Sequence, residues 1–142
     1  MINISFVRTA DLKRAASITF DNMRVYYQQF APEWDVSKVF EVTLELENYD
    51  ILFQQQVVGV MRLQFNDDFC VLRDLQIIDS AKNKGIGSAS LNEAKRRAVN
   101  ANLNTLTLRV FKSSPAVALY KRNGFVIQSE DERFFNMVAK IS

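Results

Sequence analysis

The sequence predicts an α+β fold in which strands and helices follow one another as strand, two helices, three strands, helix, strand, helix, two strands. Three observations carry this. Apolar residues recur at helical spacing before Asp50 and after Gly85, yet alternate or run together between them. The apolar runs that follow Asp50 are separated by short polar turns, as in an antiparallel meander. No Pro- or Gly-rich linker, repeat or low-complexity tract divides the 142 residues, so a single domain over residues 1–142 is expected.

Each element has its own signal. Ile2, Ile4 and Phe6 alternate with polar residues ahead of Arg8, the period of a half-buried strand. Thr9 is placed to cap a helix from about Ala10, striped by Leu12, Ala15, Ala16 and Ile18, which runs toward Phe30 until Pro32 stops it. A second helix starts near Asp35, with Val36, Val39, Phe40 and Leu44 at helical spacing, although Val42, Leu44 and Leu46 also alternate as a strand would. DILFQ from Asp50, VVGVMRLQF from Val57 and FCVLRDLQII from Phe69 read as the meander. Gly85 to Ala101 returns to helical spacing, with Leu91, Ala94, Ala98 and Ala101 on one face. Leu106 to Phe111 is a strand. Ser114 as cap, Pro115 at the first helical position and Gly124 just past the end delimit a short helix. FVIQ and FFNMVAKI follow as the last strands.

Composition removes several kinds of chemistry. Lys and Arg total 18 against 16 Asp and Glu, a net charge of +2 that gives no reason to expect nucleic acid as a partner. With no histidine, Ser-His-Asp and Cys-His arrangements and imidazole-built metal sites are excluded. The single cysteine, Cys70, cannot form an internal disulfide and fits a reducing, cytoplasmic setting; mid-strand, it reads as a small buried hydrophobe. No run reaches the length of a signal core or a membrane helix, so a soluble protein without a membrane partner is expected.

The most informative stretch is Lys82-Asn83-Lys84-Gly85-Ile86-Gly87-Ser88, between a strand and a helix. Alternate glycines let backbone come close to a ligand and turn successive N–H groups into one concavity, to which a helix start adds partial positive charge. Between Lys82 and Arg97 five basic residues, Lys82, Lys84, Lys95, Arg96 and Arg97, face one acid, Glu93, which suits a diphosphate. A Walker loop is absent, and a dinucleotide fingerprint fails because its third glycine position is Ser90. The plainer alternative is a tight turn at a helix start with a solvated basic face.

The neighbouring residues resemble the GNAT superfamily of acyl-CoA-dependent N-acetyltransferases. Its core motif, Arg or Gln, two residues, Gly, one residue, Gly or Ala, is similar to Lys82 through Gly87 with Lys in the first place. LRDLQIIDS looks like the family's fourth strand, and AVALYKRNGF from Ala116 looks like its second signature, a short helix that carries a tyrosine and ends in Gly-Phe. The resemblance implies a GNAT fold in α/β/α layers, with a mixed, mostly antiparallel sheet of six to seven strands splayed between strands four and five, and about four helices. It implies acetyl-CoA as co-substrate with no metal. Leu75, Gln76 and Ile77 would contact the pantetheine arm through backbone, and Lys82, Asn83, Lys84, Gly85, Ile86, Gly87 and Ser88 would cradle the pyrophosphate. Tyr120 would be the catalytic acid toward the leaving thiolate; a phenol, with a pKa of about 10 against about 8.5 for a thiol, stays protonated at neutral pH and can donate.

There are departures. Ser113 stands where many members have a cofactor-contacting Asn, and Leu108 where some place a glutamate base, so the base has no assignment; Asp67, Asp68 and Asp74, near the fourth strand, would act directly or through water, or else be solvated turn carboxylates with Asp74 paired to a basic neighbour. The acceptor is a small-molecule amine or an amine of a peptide or protein. Glu33, Asp35, Glu41, Glu45, Glu47 and Asp50 against Lys38 would attract a cationic amine or simply form a solvated face. Tyr26, Tyr27, Phe30 and Trp34 would serve as pocket lining, core or a homodimer contact. The alternative to an enzyme is a catalytically silent acyl-CoA-binding sensor or regulatory module.

Overall fold

The computed structural model describes residues 3–141, so Ile2 of the predicted first strand lies outside the described residues. In chain order the elements are β1 (Ile4–Arg8), α1 (Leu12–Phe30), α2 (Val36–Thr43), β2 (Glu47–Phe53), β3 (Gln56–Phe65), β4 (Cys70–Ile77), a 3-10 turn (Asp79–Ala81), α3 (Ile86–Asn100), β5 (Thr105–Phe111), α4 (Ala116–Arg122), β6 (Val126–Glu130) and β7 (Phe134–Lys140). The strands form one seven-stranded sheet in the order β1-β2-β3-β4-β5-β7-β6. It is mixed: β1 with β2, β5 with β7 and β6 with β7 are antiparallel, whereas β4 and β5 are parallel. The expected GNAT fold is therefore found. The parallel register runs from Cys70↔Leu106 to Leu72↔Leu108.

Two compact units emerge, each with a core. The first holds residues 3–62 and Asp74–Ile86. Its interior is built from Ala15 and Ala16 on α1, Val39 on α2, Tyr49 and Ile51 on β2, and Val58, Val60 and Met61 on β3. Gln54 and Gln55 both have positive φ, 51° and 69°, the geometry that lets a two-residue turn match strand twist and join β2 to β3 as a hairpin. The second unit holds Leu63–Arg73 and residues 87–141. Here Leu106, Leu108 and Val110 alternate inward along β5, and Leu91, Ala94 and Ala98 recur along α3 with helical period, as predicted, whereas Ala101, expected on the same face, lies past the helix end and is exposed.

Some expected boundaries move. Asp11, not Thr9, caps α1: its carboxylate accepts from Arg14 N at 3.0 Å, while Thr9 Oγ1 accepts from Asp11 N and shapes the turn one step earlier. The ambiguous stretch after Phe40 divides, α2 ending at Thr43 and β2 beginning at Glu47, three residues before the predicted strand. Pro115 takes the cap position of α4 and Ala116 the first helical one, with Ser114 Oγ accepting from Ala116 N.

Candidate active site

Among the residues assigned to the pantetheine arm, Gln76 is buried while Leu75 and Ile77 are half-buried. Their strand is held from two sides within the first unit. Asn22 Nδ2 on α1 donates to Ile77 O at 2.9 Å and to Gln76 Oε1 at 3.3 Å. On the other side β3 comes so close that a Cβ on Gly59 would lie 2.2 Å from Gln76 O, which explains a glycine inside a strand.

The chain then makes its 3-10 turn and enters the basic loop. Lys82 is partly committed there: its N–H donates to Asp79 O at 3.2 Å and its Nζ pairs with Asp79 Oδ1 at 3.0 Å. Asn83 and Gly85 take positive φ, 63° and 80°, and turn the chain sharply into α3. Lys82, Asn83, Lys84 and Gly85 are all exposed, whereas Ile86, the first residue of α3, is buried and anchors it. The first N–H groups of a helix lack intrahelical acceptors, so Ile86, Gly87 and Ser88 bring donors and partial positive charge to the loop's end.

In the second unit, Tyr120 on α4 is 7% exposed and meets Phe125 edge-on, with ring centroids 5.8 Å apart. The helix ends in a Schellman turn: Phe125 N donates to Tyr120 O, Gly124 N donates to Lys121 O, and Gly124 has φ 91°. Lys95 Nζ from α3 donates to Asn123 O, and Asn123 Nδ2 donates to Ser88 Oγ at 3.2 Å. The predicted pyrophosphate residue Ser88 is thus tied to the helix that carries Tyr120. Ser113 is exposed in the turn after β5. Leu108 is buried, in register with Leu72 and Met137. Cys70 is a buried thiol, and Asp67 and Asp68 are exposed in the β3–β4 turn. A cavity of about 580 Å³ in this unit is lined by Asp68, Val71, Thr107, Leu108, Arg109 and Asn136 among others, but by neither Tyr120 nor any residue expected to hold the cofactor.

The sequence reading missed the polar cluster behind β4. Arg62 is completely buried in the first unit; its Nε donates to Asn48 Oδ1 and its Nη1 to Thr19 Oγ1 and Asp74 Oδ2, the last at 3.1 Å. Its Nη2 is buried with no partner among the described residues. The Asp74 side chain keeps 20% of its surface exposed, and Gln76 Nε2 approaches its Oδ1 at 3.4 Å. Burial, with the charge of Asp74 adding and that of Arg62 opposing, pushes the Tyr27 phenol up to about 12. One signal existed: an arginine in the otherwise apolar run VVGVMRL needs a buried partner. The acidic run is largely engaged locally. Asp35 caps α2 at Lys38 N, and Lys38, Arg8 and Arg14 pair with Glu41, Glu47 and Asp50.

The chain belongs to the acetyltransferase (GNAT) family, which it matches over residues 17–125. It is 31% identical over 99 residues to acetyltransferase PseH of Campylobacter jejuni, covering 68% of this chain and 62% of that protein. Among solved structures it resembles the PaiA N-acetyltransferase of Thermoplasma acidophilum in complex with coenzyme A, with TM-score 0.79 and 17% identity over 97% of this chain and 99% of that one. Ard1 of Thermoplasma volcanium is similar at TM-score 0.76 and 13% identity, over 98% of each chain. A GNAT acetyltransferase of Elizabethkingia anophelis with acetyl-CoA bound gives TM-score 0.72 at 15% identity, over 99% of this chain and 98% of that one. Among the described residues no group of His, Cys, Asp or Glu is arranged to hold a metal ion, and no helix is long and apolar enough to cross a membrane.

Proposed function

We propose that this chain transfers an acetyl group from acetyl-CoA to a primary amine by direct attack on the thioester. The observation that carries the reading is the Lys82–Ser88 turn: positive φ at Asn83 and Gly85 delivers the chain into the first donors of α3 immediately after β4. That suits a pyrophosphate, which meets amide hydrogens and the lysines of a loop that has no acid of its own between Lys82 and Ser88, although Asp79 pairs with Lys82 from the preceding turn. Because Lys82 is shared with Asp79, its side chain contributes charge more than a dedicated contact.

In this reading the backbone at Leu75, Gln76 and Ile77 aligns the pantetheine arm, and Ser113 adds a hydrogen bond to the cofactor. The amine, having given its ammonium proton to water, attacks the thioester carbon as the neutral nitrogen; the oxyanion is stabilised by backbone donors, the nitrogen's second proton passes to water, and the C–S bond breaks with the electron pair on sulfur. The Tyr120 hydroxyl donates to the departing thiolate. The acceptor is a small-molecule amine or an amine of a peptide or protein, and the reaction belongs to the cytoplasm on the strength of the cysteine usage. Leu108, buried and without proton chemistry, favours one rival: a silent acyl-CoA-binding sensor. Thiol release with an amine panel separates the two.

Thermal stabilisation tests the cofactor before the acceptor is known. A ligand bound only by the native state at about a hundred times its Kd adds roughly 2.7 kcal/mol, on the order of 10 °C in a chain of this size. Acetyl-CoA should raise the midpoint by that order; no shift with acetyl-CoA, other acyl-CoAs or coenzyme A would overturn the proposal.

A further inference from the structure

We infer that Asp74 is the acceptor anchor: its carboxylate, backed by the sealed guanidinium of Arg62, binds the ammonium of a primary amine carried on an apolar or aromatic arm. The inference rests on the acetyl-transfer reading and adds a substrate class to it.

The two ends of the Arg62–Asp74 pair differ in what they show to solvent. The Arg62 side chain has no exposed surface, whereas the Asp74 side chain keeps 20%. Of the two, only Asp74 is accessible to a ligand. Arg62 is fixed from behind by the neutral oxygens of Asn48 and Thr19, so its position does not depend on Asp74 alone. Asp74 is correspondingly held in place, with Gln76 beside its second oxygen.

The surroundings define the rest of the ligand. Tyr27 lies within the electrostatic reach of both Asp74 and Arg62. Its ring is the middle member of a row at seven-residue spacing, 5.8 Å from Phe20 and 5.4 Å from Trp34, all half-buried. Arg24 lies 4.8 Å from the Phe20 ring and Lys38 6.0 Å from the Trp34 ring, so cations already sit at the two outer rings of the row. An ammonium at Asp74 would thus have aromatic surface for the carbon chain behind it. Asp74 also stands three residues before Ile77, on the strand assigned to the pantetheine arm.

The test measures binding of 2-phenylethylamine and of its uncharged counterpart 2-phenylethanol to the coenzyme A-saturated protein by calorimetry. Two variants are compared, Asp74→Asn and the double variant Arg62→Met/Asp74→Asn, which avoids stranding the buried cation. The wild-type protein should prefer the amine by at least about tenfold, and both variants should lose that preference while acetyl-CoA still raises their melting midpoint. Failure of the wild-type protein to prefer the amine, or a preference that survives in either folded variant, overturns the assignment of Asp74. Absence of stabilisation by acetyl-CoA in the wild-type protein overturns the cofactor reading instead, so the two failures are distinguishable.

Discussion

Tyr120 is immobilised before any ligand arrives. It is 7% exposed, its ring rests on Phe125, and its carbonyl accepts the bond that closes α4. Replacing it by Phe keeps this packing and removes only the O–H. Tyr120→Phe should therefore lower kcat at least about tenfold while the affinity for acetyl-CoA stays nearly unchanged, as steady-state kinetics and a thermal-shift titration would show. Unchanged turnover would take Tyr120 out of the mechanism. At this scale the sequence was readable where a residue must satisfy a local backbone demand. Gly85 and Gly124 were placed at turns and have φ of 80° and 91°. The sequence offers Asp74 a basic neighbour but does not identify it as Arg62, because the pairing depends on the register of β3 against β4, which no local pattern encodes.

Among the elements, two glycines separate conformational strain from steric collision. A Cβ on Gly124 would meet nothing nearer than Lys95 Nζ at 3.8 Å, so Gly124→Ala suffers only from the left-handed backbone and should lose about 1–2 kcal/mol. A Cβ on Gly59 would collide with the backbone oxygen of Gln76 at 2.2 Å, which β4 can relieve only by moving. Gly59→Ala should lose more stability than Gly124→Ala in urea unfolding, and should also weaken acetyl-CoA binding because the displaced backbone is that of the pantetheine residues. Equal losses in the two variants would contradict this. Element types were legible because hydrophobic period changes cleanly at each boundary. Their ends were less so: Thr9 and Asp11 are both good caps, and only Asp11 has its oxygen where the third helical N–H points.

For the chain as a whole, the absence of histidine removes the side chain that ordinarily titrates between pH 5 and 8. Stability should form a plateau there, with a flank on each side. On the alkaline side the Tyr27 phenol is raised to about 12 from an unfolded value of 10. The unfolded chain then loses its proton first, so stability falls as pH climbs from 10 to 12. On the acid side, hydrogen bonds from Phe134 N and Arg133 N, helped by Arg109, hold the Asp131 carboxyl below its usual range. Its contribution is present above that range and disappears as pH drops through the lowered value. Melting midpoints from pH 2 to 12 should show both flanks, and Tyr27→Phe should reduce the alkaline one. The overall strand and helix order was legible because it follows from local periodicity. The division of β3 and β4 between two units was not, since it reflects which distant residues pack together.

The outermost strand has a consequence for how the chain behaves when crowded. β6 has one edge of its backbone hydrogen-bonding groups paired to β7 and is solvent-exposed throughout, with the apolar side chains of Val126 and Ile127 both exposed. Such a rim invites an incoming polypeptide to add itself as another rung. The irregularity between Ile127 and Ser129 breaks the even spacing such an intruder would need, so fibril-like stacking is discouraged by geometry where the greasy residues alone would encourage it.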